Sequence, residues 1–169
     1  MEPHSRYLLS CAAALCLLGA LVPCYAGQGV NPIGVWQLVS YTATDPSTGT
    51  STQPFGADAR GLAIYSAGGH MSLLVTGRER APAGAGALSR SELRAQWLDS
   101  MFAYTGTFTV TGDQLTIHIE TAWQPDWAGT VKTRTLKLSH DILTVTTPPM
   151  TSPVNGKTYI SVTRFKRVE

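Results

Sequence analysis

His118 and Glu120 stand two residues apart in Leu115-Thr-Ile-His-Ile-Glu-Thr121, a run rich in β-branched residues that reads as a strand. Two residues is the side-chain period of a strand, so the imidazole and the carboxylate share one face. An imidazole titrates near neutrality and a carboxylate beside it can fix its tautomer. His118 as base with Glu120 as its orienter is therefore the minimum equipment of a small-molecule isomerase, cyclase or dehydratase. The same pair could supply two ligands of a metal ion. No third ligand stands at recognisable spacing, and His70 and His140 fall in turn regions, so no metal and no cofactor is expected. A third reading is a polar cluster that orients a bound molecule, and a fourth is a structural hydrogen-bond network with no ligand. Arg134 lies in the strand that follows and could join either cluster, depending on register. If buried, Glu120 needs Arg134 or His118 as its partner, because an unpaired carboxylate is costly to bury.

The elements that must position these groups are strands joined by tight turns. Only 14% of the residues are charged while glycine, serine and threonine are plentiful, a profile that suits short strands. Val35 to Ala43 is a first strand, closed by the turn cluster Asp45-Pro-Ser-Thr-Gly49. Gly61 to Tyr65 and His70 to Thr76 flank Ser66-Ala-Gly-Gly69, whose glycines suit a hairpin turn. Ala81 to Ala87 is a small-residue linker. Ser89-Arg-Ser-Glu92 then opens a helix with a capping box, and Leu93, Trp97, Leu98, Met101 and Phe102 form its apolar stripe. Strands follow at Tyr104 to Val110, Leu115 to Thr121, Val131 to Leu138, Ile142 to Thr147 and Lys157 to Phe165. About eight strands in a short-looped antiparallel meander can close into a barrel that holds one small ligand, with a two-sheet sandwich as the alternative. Alternation on the fifth of these strands sets Leu115, Ile117 and Ile119 against His118 and Glu120, which by pattern alone sends the polar pair to solvent.

Composition narrows the chemistry. Met1 to Ala26 has the charge pattern of a signal peptide: Arg6 near the start, an uncharged run from Tyr7 to Val22, then Pro23 and the small residues Cys24 and Ala26 ahead of a cut. The run falls short of the ~20 residues that span a bilayer. The expected domain is thus residues 27–169, placed outside the cytoplasm, either periplasmic or secreted. All three cysteines, Cys11, Cys16 and Cys24, lie in the leader, so the domain would contain neither disulfide nor thiol nucleophile. Cys24 after Leu21-Val22-Pro23 also has a lipoprotein-like position, though the proline fits poorly, and acylation there would tether the domain to a membrane. A net charge of +2 without a basic cluster, apart from Arg164-Phe-Lys-Arg167, argues against nucleic acid and anionic membranes as partners. There is no phosphate-cradling Gly-rich loop with Lys and no Gly-x-Ser-x-Gly elbow.

Gly34-Val-Trp36 resembles the Gly-x-Trp signature of lipocalins, in which the Trp packs across the closed end of the barrel. With Pro54-Phe-Gly56, Gly61-Leu-Ala-Ile-Tyr65, Gly69-His-Met71, Tyr104-Thr-Gly106, Thr116-Ile-His118-Ile-Glu120, Pro125-Asp-Trp127-Ala-Gly129, Arg134 and Leu143 through Pro149, the chain from about Ile33 onward resembles the bacterial and fungal lipocalin-like domain family. That resemblance implies an all-β, roughly eight-stranded antiparallel barrel of calycin type with one helix inserted mid-chain, binding or carrying a small, mostly apolar molecule. It also reverses the alternation argument, turning His118 and Glu120 inward to orient the ligand with Arg134. The family pattern often has a second His where this chain has Ile117, which weakens any mechanism that needs two imidazoles. Tyr65, Tyr104 and Met71 are then core or cavity-lining side chains, Trp127 guards the mouth, and oligomeric state stays open. N-terminal sequencing of protein recovered outside the cytoplasm is expected to start at Gly27; a start at Met1 would remove the leader reading.

Overall fold

The computed structural model describes residues 29–169 except 79, 81, 83–87 and 153–155. The leader, its cysteines and most of the Ala/Gly linker lie outside the described residues. The described chain runs β1 (Gly34–Thr44), β2 (Ser51–Thr52), β3 (Arg60–Tyr65), β4 (His70–Thr76), α1 (Arg90–Asp99), β5 (Met101–Thr111), β6 (Gln114–Ala122), a 3-10 turn (Pro125–Trp127), β7 (Val131–Ser139), β8 (Ile142–Thr146), β9 (Met150–Thr151) and β10 (Thr158–Arg167). Neighbours pair antiparallel in the order β1-β3-β4-β5-β6-β7-β8-β10, and β10 pairs back on β1 from Trp36↔Arg167 to Thr44↔Ile160. The result is a closed eight-stranded antiparallel barrel, as the strand count anticipates. No helix among the described residues is long and apolar enough to cross a membrane.

One end of the barrel is a packed base. Trp36, Leu115, Leu143 and Phe165 lie at the strand ends gathered there and are fully buried. The Trp36 indole donates to the Pro32 carbonyl at 2.7 Å, and the Arg167 guanidinium caps the ring 4.1 Å from its centroid. Gly34 explains the glycine of Gly-x-Trp: its φ is +139°, and an added Cβ would collide with the Arg167 guanidinium. The segment before β1 crosses this end, with the Val30 N–H on the Gly112 carbonyl at 2.8 Å.

The other end carries α1, the 3-10 turn and the longer loops. Ser89 and Glu92 form the expected capping box. The helix ends at Asp99, however, and Met101 and Phe102 begin β5, paired with Thr76 and Val75 of β4. The i, i+3 spacing of the apolar residues continues past the helix, but pairing with β4 draws these residues into the sheet and sets Phe102 opposite the buried Val75, inside the barrel. Leu93 is the buried contact of α1 while Leu98 is half exposed, so the anticipated stripe is not one packed face.

Two irregularities set the inward faces. The β1–β10 register shifts between Leu38 and Ser40, making Val39 an extra residue, so Trp36, Leu38, Tyr41 and Ala43 share the inner face. On β6 the register shifts so that Glu120 is the extra residue and Ala122 faces Tyr104. Gly106 sits at that second bulge, where a Cβ would run into the His118 carbonyl oxygen. Gly106→Ala should therefore destabilise the barrel by about 1–3 kcal/mol through forced backbone displacement. Urea denaturation checks this; an unchanged midpoint would contradict the close approach.

Candidate functional site

The lumen is built from the inward positions of six strands. β3 and β4 contribute Tyr65 and Met71, paired with each other, and β5 contributes Phe102 and Tyr104. β1 adds Tyr41 beyond its bulge, opposite Thr163 of β10. β10 adds Tyr159, Ser161 and Thr163, which alternate on one face with Phe165. β7 adds Lys132 and Arg134, aligned with Ile117 and Leu115 of β6. An aromatic collar rims the end opposite the base. Tyr41, Phe55 and Phe102 contact one another with centroids 5.1 to 5.6 Å apart; Phe102 stacks on Tyr104, and Tyr104 meets Trp127 edge-on at 6.0 Å. Trp123 stacks on Trp127 at 5.8 Å and donates its indole N–H to the Met101 carbonyl.

Arg134 is the buried charged side chain within this wall, 8% exposed. Its Nη1 donates to the Thr133 carbonyl at 2.7 Å, and it forms no ion pair among the described residues. Burying a cation is costly unless an anion or several acceptors compensate. The compensation present is the dipole of that carbonyl, and the positive charge also bears electrostatically on Tyr41, Tyr65, Tyr104 and Tyr159. Burial raises the pKa of all four phenols, and the guanidinium only partly opposes it. They therefore remain O–H groups at physiological pH. The Tyr41 hydroxyl is hydrogen-bonded to Ser161, whose N–H in turn donates to Thr147 Oγ1 at 2.8 Å. Nearer the collar, the Lys132 ammonium lies 5.6 Å from the centroid of Trp127.

The lipocalin-like domain family model matches residues 33–168. The chain belongs to the lipocalin-like domain family. Neither a curated protein nor a solved structure matches it.

Within this lipocalin-like domain, Arg134, Tyr65, Tyr104 and Met71 face the lumen, and Trp127 packs against Tyr104 at the collar. His118 and Glu120 do not join them. Both are exposed on the outer wall: His118 pairs with Thr107 and Val131, and Glu120 is the bulged residue. The expectation of an inward His118–Glu120 pair is corrected by alternation, since Leu115, Ile117 and Ile119 of the same strand are almost completely buried. Register separates the cluster as well. Arg134 pairs with Leu115, so it points opposite to His118. A proton transfer inside the barrel would have to use other groups. Among the described residues no group of three His, Cys, Asp or Glu side chains could hold a metal ion.

Sequence reasoning missed Tyr41, Tyr159 and Lys132. A signal for Lys132 existed, because it shares parity with Arg134, Leu136 and Leu138 on β7. Tyr159 shares parity with Phe165, but Ile160 and Val162 make the opposite face look like the inner one. Tyr41 carried no signal, since simple alternation from Trp36 sends it outward and only the bulge at Val39 turns it in.

Arg134→Met keeps the apolar stem and removes the charge. The ligand-free protein should become more stable by about 1–3 kcal/mol, as when other buried charges give way to apolar side chains. Guanidinium denaturation measures this, and a loss of stability of that size would mean that the tyrosine and backbone dipoles already compensate the charge.

Proposed function

We propose that this lipocalin-like domain is an exported binding protein, released by removal of residues 1–26, that carries a small, largely apolar molecule in its barrel with the polar end held at Arg134. The observation that carries the reading is the buried guanidinium facing a largely aromatic, hydroxyl-bearing lumen, with no carboxylate partner among the described residues. A side chain so placed weakens the empty barrel and gains a function only when something polar reaches it. Membership of the lipocalin-like family supports the same reading. Export rests on the leader, which also leaves residues 27–169 without cysteine.

The collar supplies a built-in reporter. Trp123 and Trp127 stack at the rim, so an apolar molecule entering the lumen changes their surroundings. Gently purified protein examined by native mass spectrometry should retain a small molecule that solvent extraction removes, and Trp emission should then respond to a panel of apolar ligands. No retained mass together with unchanged emission across the panel would sink the proposal.

A further inference from the structure

The charge of the lumen identifies the class of molecule, and this step rests on the carrier reading above. Every carboxylate among the described residues lies in a turn, a loop, α1, the outer wall or the C-terminal end, and none occupies an inward strand position. The inward positions hold two cations, Arg134 and Lys132, on alternate residues of β7. The four phenols around Arg134 keep their protons and so can act as hydrogen-bond donors. A site made of one planar guanidinium fork and several O–H donors is complementary to an acceptor-only group of single negative charge. We infer that the cargo is an amphipathic monocarboxylate, its carboxylate at Arg134 and the tyrosine hydroxyls and its apolar body toward the collar of Phe55, Phe102, Tyr104 and Trp127.

The geometry favours a carboxylate over neutral or doubly charged head groups. The two oxygens of a carboxylate match the two parallel N–H groups of the guanidinium, and its remaining lone pairs accept from hydroxyls. An alcohol, ketone or ester of the same shape leaves the cation without a counter-charge. A phosphate monoester brings a second charge for which Lys132, held against Trp127, is the remaining cation.

Matched probes test the assignment: decanoate, decanol, methyl decanoate and decyl phosphate, with naphthoate and naphthol as the aromatic pair, each titrated at neutral pH by Trp fluorescence and calorimetry. In at least one of the two series the carboxylate should bind about tenfold or more tightly than its neutral partner. Arg134→Met should abolish that ratio by weakening the carboxylate about tenfold or more relative to its neutral partner, with circular dichroism confirming the fold. Equal binding of charged and neutral partners, a ratio that survives in Arg134→Met, or tighter binding of decyl phosphate overturns the monocarboxylate and leaves the carrier standing. Absence of binding by every probe overturns both. An independent readout needs no variant: NMR of a carboxyl-labelled probe bound to the wild-type protein should show ionisation persisting to lower pH than in free solution. A bound carboxyl that takes up its proton at the same or higher pH than the free acid overturns the contact with Arg134.

Discussion

The pairing of β1 with β10 is the constraint on which the molecule depends. It joins residues more than a hundred positions apart in the chain, Thr42 with Val162 and Leu38 with Phe165 among them. Closure removes the open edges of the main sheet and commits every strand to one inner and one outer face. After that commitment no strand can slip by a single residue without exchanging its whole set of side chains between core and water. The two bulges are where the closed sheet departs from simple alternation, at Val39 and Glu120. The strands left at the rim, β2 and β9, are two residues each, too short to offer a long template for another chain.

Stability and capability are divided along the barrel axis. Fully buried Trp36, Leu115, Leu143 and Phe165 crowd the base, and each such side chain contributes about 1.5–3 kcal/mol by leaving water. That surplus allows the remainder of the lumen to hold Arg134, whose burial opposes folding. The tyrosines suit both demands, because their rings extend the apolar wall while their hydroxyls stay protonated within reach of the cation's field. No buried side-chain nitrogen or oxygen among the described residues lacks a hydrogen-bond partner. The charge is thus accommodated, though without a counter-ion among the described residues.

Much of the architecture was legible in the sequence because it rests on local signals. The Gly68-Gly69 turn, the capping box at Ser89, the order of the strands and the Gly34-Val-Trp36 base all depend on neighbours in the chain. The lumen was harder to read, since inward or outward is a property of closure. The Leu115, Ile117, Ile119 alternation gave the right face for His118 and Glu120, and a motif-level expectation overrode it. The reverse held for β10, where Ser161 and Thr163 are buried and Ile160 and Val162 cover the outside, because Phe165 anchors the parity and the barrel interior needs hydroxyls. Tyr41 marks a limit: its inward position comes from one extra residue in β1, a feature without a signature in side-chain type.

Segregating acids outside and cations inside also determines how the lumen answers to pH. No imidazole or carboxylate among the described residues faces it, and burial moves the phenols away from neutrality toward higher pH. With His118 and Glu120 on the outer wall, the ionisable groups left at described inward positions are Arg134, Lys132 and the phenols. Any pH dependence of capture below neutrality must then originate in the cargo, whose own ionisation decides whether it can neutralise the buried guanidinium.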